Sequence, residues 1–224
     1  MAVTILDDDS TPGAKKWLTV ENFFAFARNH PLGAVGAGIV VVMILAAIFA
    51  EAITIYDPEQ IDFEAMLVSP NWAHPLGTDN YGRDILTRVI YGARTALMVG
   101  FVSAFVGAFA GLVLGVGSAY FGGRIDLVFQ RVMDVFLAFP LIILALAVVA
   151  VLGTGTENVI IAITIPFIPQ CARVVRSSAL ALREIPYVDA ARACGFSHTR
   201  IILRHMVPNV MAPFLIMITA FVGQ

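Results

Sequence analysis

A helix that crosses a bilayer needs about 20 predominantly apolar residues in a row. Several charge-free windows of about that length follow one another along this chain, so lipid is the solvent to which it must fold. Pro31 to Ala50 is the first, closed by Glu51. The second lies between Arg94 and Arg124, with its core near Thr95 to Tyr120, and the third runs from Val135 to Thr156. A fourth starts at Asn158 and continues past Arg173 and Arg176 towards Leu182; a fifth starts near Met206 and reaches the last residue, Gln224. Composition agrees, since 59% of the 224 residues are hydrophobic and 13% are charged, against about 25% charged in a soluble domain. The expectation is an all-α polytopic membrane protein with five transmembrane helices. Asp7, Asp8, Asp9 and Glu21 precede the first apolar run, which therefore reads as an uncleaved signal anchor rather than a cleavable signal peptide.

Basic residues set the orientation, because they concentrate on the cytoplasmic side of membrane proteins. With the N-terminus cytoplasmic, only Arg83, Arg88 and Arg94 of the 14 lysines and arginines fall outside. The outer loop carries acids instead: Asp57, Glu59, Asp62, Glu64, Asp79 and Asp84. The expected organisation is a cytoplasmic segment with an interfacial helix (1–30), a first transmembrane helix (31–55), an extracytoplasmic loop with an amphipathic helix (56–93) and a core (94–224) that contains a cytoplasmic loop (183–205). The interfacial helix is expected over Trp17 to Arg28, where Trp17, Val20, Phe24 and Ala27 share a face. The stretch from Arg83 to Arg94, with Asp84 and Arg88 as an i,i+4 pair, reads equally as an outer interfacial helix or as an extension of the second span. Both cysteines, Cys171 and Cys194, read as small buried thiols on the cytoplasmic side rather than as a disulfide.

The second span carries small residues at every fourth position: Ser103, Gly107, Gly111, Gly115 and Ala119. Such a stripe lets two backbones approach closely in lipid, either within the chain or against a second subunit. Chemistry is otherwise sparse. The only lysines, Lys15 and Lys16, follow no glycine-rich turn, so no phosphate-binding loop is present. The four histidines lie apart from acids and cysteines at metal-ligand spacing. A net charge of −2 without a basic stripe argues against nucleic acid. No span carries a charge at its middle, which disfavours ion-coupled carriers. Energy for active transport would then have to come from another subunit.

Between the last two spans, Pro186 suits the first turn of a short helix, Gly195 its left-handed stop, and Ser197 the cap of the next helix. Ala190, Ala191 and Ala193 would let another protein approach the short helix closely, although a plain connector reads as well. The order Asp189-Ala190-Ala191, Gly195, then His205, Val207 and Pro208 resembles, at matching spacing, the "EAA" loop of ABC importer permeases. Asp, His and Val replace the pattern's Glu, Ile and Leu. The string from Tyr187 to Ser197 and the run Arg204 to Asn209 resemble the dipeptide/oligopeptide/nickel class in particular. His74 to Asp84 with Arg88 and Gly92 to Arg94, and Tyr120 to Asp126 with Arg131, Asp134 and Pro140, resemble its second, "C-type" subunit. Residues 168–173 lack the aromatics of the family's W-x-x-Y-A-R pattern.

The resemblance implies a type I importer permease fold of six spans, of which five are present, so the last transmembrane helix is expected to be missing. It implies a heterodimer with a second permease subunit, two ATP-binding subunits that hold ATP and Mg, an extracytoplasmic solute-binding protein, and the inner membrane of a bacterium as the location. Tyr187, Asp189, Ala190, Ala191, Arg192, Gly195, Ser197 and Pro208 would couple to the ATPase. The chain itself would be no enzyme, with no catalytic, cofactor or metal residues of its own. An ATPase-independent carrier or channel, or a structural subunit, are the alternative readings.

Overall fold

The computed structural model describes residues 28–224; the interfacial helix expected over Trp17 to Arg28 lies outside them, apart from Arg28 itself. The regular elements among the described residues are helices, and four of them are long and apolar enough to cross a membrane, with a fifth crossing if one bent pair counts as a span. The chain divides into two compact units, Met1–Arg94 and Thr95–Gln224.

In the first unit, α1 (Pro31–Ile48) opens with proline at its first position, where the missing N–H costs nothing. It stops at Phe49, and Glu51 belongs to a separate turn, α2 (Ala50–Ile53), from which it meets Arg94 at 3.4 Å. Between α2 and the next long helix the chain is irregular but closely hydrogen-bonded. Thr78 Oγ1 donates to the Ala65 carbonyl at 2.5 Å and accepts from the Val68 N–H at 2.9 Å. The Asp79 carboxylate accepts the Tyr81 and Arg83 N–H groups at 2.8 and 3.0 Å and pairs with the Arg83 guanidinium at 2.7 Å. Gly82 sits at φ +73°, where a Cβ would overlap the Asp62 carbonyl; only glycine fits. Asp84 caps the helix that follows by accepting the Thr87 N–H at 2.8 Å, and its other oxygen lies 3.0 Å from His74 Nδ1. The expected Asp84–Arg88 pair is therefore not formed. Capping turns the Asp84 carboxylate towards its own helix start, and Arg88 instead approaches Asp79 at 3.9 Å.

The helix α3 runs unbroken over Ile85–Phe121, 37 residues, so the stretch after Arg83 extends the second span. In the second unit its buried face, Ala104, Ala108, Leu112, Val116 and Ala119, packs with α6 (Thr156–Arg183) and its face Phe167, Cys171, Val175 and Ala179. The last helical run begins with α8 (His198–Ile201), passes through a π turn (Ile202–Met206) and a 3-10 turn (Val207–Val210), and ends in α9 (Met211–Val222). Val210, Phe214, Ile218 and Phe221 close the same core, with the Phe167 and Phe221 rings stacked at 4.1 Å.

The third expected span, Val135 to Thr156, is not one helix. Helix α4 (Gly123–Leu137) and α5 (Leu141–Leu152) meet at 87°. Pro140 causes the break, since it has no N–H for the helical ladder and disfavours helical geometry in the residue before it. The absence of charge between Asp134 and Glu157 reports apolarity, which a break leaves unchanged.

Candidate functional site

Helix α7 (Pro186–Ala193) hangs between two membrane-length helices, α6 and the run from His198 to Val222. Its start and stop follow from local chemistry. Pro186 occupies the first position. At the other end Gly195 takes φ +74°; the Phe196 N–H donates to the Ala191 carbonyl at 3.2 Å and the Gly195 N–H to that of Arg192 at 2.9 Å. Those two bonds form a Schellman stop, which satisfies carbonyls that the helix end would otherwise leave open. Ser197 then caps α8, its hydroxyl accepting the Arg200 N–H at 3.4 Å.

The helix shows two faces. Val188 and Ala191 are buried in the core with Ile201 and Met206, and Tyr187 and Phe196 pack against them. Asp189, Ala190, Arg192, Ala193 and Cys194 are exposed. Two expectations change here. Ala191 faces the chain's own core, because it lies three residues after Val188 on the same helical face. Cys194 is exposed, while Cys171 is buried, its thiol donating to the Ala108 carbonyl at 3.3 Å. Asp189 reaches Arg192 of its own helix at 3.0 Å.

Around this helix lie residues that spacing alone could not bring together. The Tyr120 hydroxyl and His198 Nδ1 share a hydrogen bond of 2.7 Å, and Arg192 lies over the Tyr120 ring at 5.2 Å. Arg183 donates to the Ala119 carbonyl at 3.1 Å. On the other side, the His205 carbonyl accepts from the Tyr187 hydroxyl at 3.3 Å and from the Asn209 amide at 2.6 Å. Pro208, in the 3-10 turn, cannot donate a backbone bond, and the preceding π turn shifts the hydrogen-bond register so that the Val207 N–H meets the Ile202 carbonyl. Tyr120, His198 and Asn209 carry no sequence signal for these roles, since their partners lie far along the chain or depend on the π turn.

The small-residue stripe of α3 meets α6 of the same chain. A Cβ on Gly111 would lie 2.6 Å from Cys171 Cβ, and one on Gly115 would lie 2.6 Å from the Ala172 carbonyl oxygen. Gly107 faces Phe167 in the same way, and the Ser103 hydroxyl donates to the Ile160 carbonyl at 3.3 Å. Of the two uses open to such a stripe, close packing within the chain is the one seen.

Comparison with known proteins identifies the family. Residues 107–223 match the family described as "Binding-protein-dependent transport system inner membrane component". Residues 23–70 match "N-terminal TM domain of oligopeptide transport permease C". A Brucella abortus protein named provisionally as a peptide transport system permease is 44% identical over 191 residues, 85% of this chain and 64% of that protein. The dipeptide transport system permease protein of Alkalihalophilus pseudofirmus is 40% identical over 200 residues, 89% of this chain and 66% of its own length. The glutathione transport system permease protein of Pectobacterium atrosepticum is 38% identical over 201 residues, again 89% and 66%. The chain thus spans just under two thirds of the length of these relatives. The chain belongs to the family of binding-protein-dependent transport system inner membrane components.

Proposed function

We propose that this chain is a permease subunit of an ATP-driven importer, forming half of a translocation path for peptides or a related small solute. Its α7 would dock on a separate ATPase subunit. The observation that carries this reading is the two-faced α7: one face is anchored in the core beside two membrane-length helices, while Asp189, Ala190, Arg192 and Ala193 stay exposed. A short rigid helix fixed in this way can pass a push from a partner into the spans without deforming. The names of the dipeptide and glutathione relatives and the resemblance to the EAA loop support the substrate class and the docking role.

In this reading ATP and Mg reside on two partner ATPase subunits, and a second permease completes the path. An extracytoplasmic binding protein delivers the solute, and the N-terminus lies in the cytoplasm. Partner closure then has to favour one arrangement of the spans over the other, since a ligand shifts a conformational equilibrium only through its differential affinity. The test is uptake of labelled dipeptide by vesicles that hold the reconstituted complex. Uptake should require ATP inside the compartment that α7 faces, and Ala190→Trp on its exposed face should abolish uptake while the subunit still inserts. ATP-independent uptake, or full uptake by that variant, would sink the proposal.

A further inference from the structure

We infer that α4 lies flat in the membrane interface, as a surface for anionic phospholipid, and that α5 with residues 153–155 makes the crossing by itself. The first observation is its crossing of α6. Arg176 donates to Asp126 from Nε at 2.6 Å and from the guanidinium end at 2.5 Å, and Arg173 donates to Asp134 at 2.5 Å. From Asp126 to Asp134, α4 advances about 12 Å, whereas from Arg173 to Arg176, α6 advances about 4.5 Å. Two helices running side by side would advance equally, so α4 crosses α6 steeply. The 87° bend into α5, which packs on α6, has the same sense.

Depth is the second observation. From Thr156 to Arg173, α6 covers about 26 Å, close to the hydrocarbon thickness of about 30 Å. The two arginines that hold α4 therefore sit where the apolar part of α6 ends. The third is the distribution of residues around α4. Asp126, Gln130, Met133 and Leu137 turn inward at helical spacing, whereas Ile125, Val128, Val132 and Val135 form an exposed apolar flank. Arg124 and Arg131, seven residues apart and so on one side of the helix, flank it in turn. Arg124 has no ion-pair partner among the described residues, and Arg131 is 79% exposed and only 4.0 Å from Asp134. Asp126 held against α6, an outward flank of apolar side chains and two exposed guanidiniums beside it suit the boundary between acyl chains and phosphate.

The inference does not depend on ATP coupling, and the test reads position rather than transport. Single cysteines replace Ile125, Val128, Val132 and Val135 in a Cys194→Ser chain, each spin-labelled in vesicles of phosphatidylcholine alone or equimolar with phosphatidylglycerol. Collision with oxygen and with a water-soluble nickel complex then gives depth. All four labels should lie at one depth within about 5 Å, although the positions span about 15 Å of helix. Phosphatidylglycerol should draw them deeper, and Arg124→Gln with Arg131→Gln should remove that lipid dependence without unfolding the chain. A steady change of depth from Ile125 to Val135 would make α4 part of a span and overturn the inference. So would labels shielded from both collision partners, which would mean that a protein covers this flank. Equal depth without any response to phosphatidylglycerol would overturn the phospholipid assignment.

Discussion

Glycines of the same helix are not equivalent, and the neighbours of each decide its role. In α3 a Cβ on Gly111 would meet Cys171 Cβ at 2.6 Å and the Ala172 nitrogen at 2.9 Å, while Gly117 has nothing within 4 Å. Gly111→Ala should therefore cost about 2 kcal/mol through overpacking, and Gly117→Ala should stabilise by up to about 1 kcal/mol through helix propensity. Thermal unfolding of the purified chain in detergent checks both, and equal effects would refute the distinction. In the irregular segment before α3, burial by itself would raise the Asp79 carboxyl. The Arg83 side-chain hydrogen bond, the Tyr81 and Arg83 N–H groups and the Arg83 charge outweigh it and bring the pKa from 3.8 to about 2. Asp84 is also lowered, with burial opposing and the Thr87 and His74 bonds prevailing. A carboxylate depressed in the folded state contributes stability that is full above its unfolded value and is lost as pH falls through its folded value. The turn at Asp79–Arg83 should hold at pH 5 and loosen between about 4 and about 2, read as faster amide exchange at Tyr81 and Arg83.

At the scale of elements, the last helical run is ordinary at both ends and irregular where α7 touches it. Beside the π turn at Ile202–Met206 the His205 carbonyl accepts from two side chains, the Asn209 amide at 2.6 Å and the Tyr187 hydroxyl at 3.3 Å. Asn209→Ala removes the closer donor and leaves an acceptor poorly satisfied, at a cost of about 1–3 kcal/mol. In the proposed importer this variant should assemble and hydrolyse ATP but move less solute per ATP, with Tyr187→Phe showing a milder loss in the same direction. An unchanged ratio of transport to hydrolysis would separate this node from the coupling path. The start and stop of α7 were legible in the sequence, because Pro186, Gly195 and Ser197 act through their own backbone preferences. The π turn was not, since the contacts around it, the burial of Met206 and Val210 and the Tyr187 bond to the His205 carbonyl, exist only once the helices pack.

At the scale of the whole molecule, the split of basic residues and the spans between them make orientation testable. With Cys194→Ser as background, Glu64→Cys and Ala193→Cys should react with an impermeant maleimide from opposite faces of sealed vesicles, and reaction from the same face would contradict the proposed topology. Apolar windows, charge placement and local caps determined the all-α membrane architecture, the position of α7 and the family resemblance. Each of these depends on residue type and short spacing, which a linear sequence records in full. Tertiary structure alone decided which partner the glycine stripe meets, which way Ala191 faces, and that Asp126 and Asp134 hold Arg176 and Arg173. It also decided that Asp84 caps a helix rather than pairing with Arg88, and that the third apolar window bends at Pro140. Those outcomes turn on the angle at which helices cross and on competition among several possible partners, and both are settled only when the segments pack.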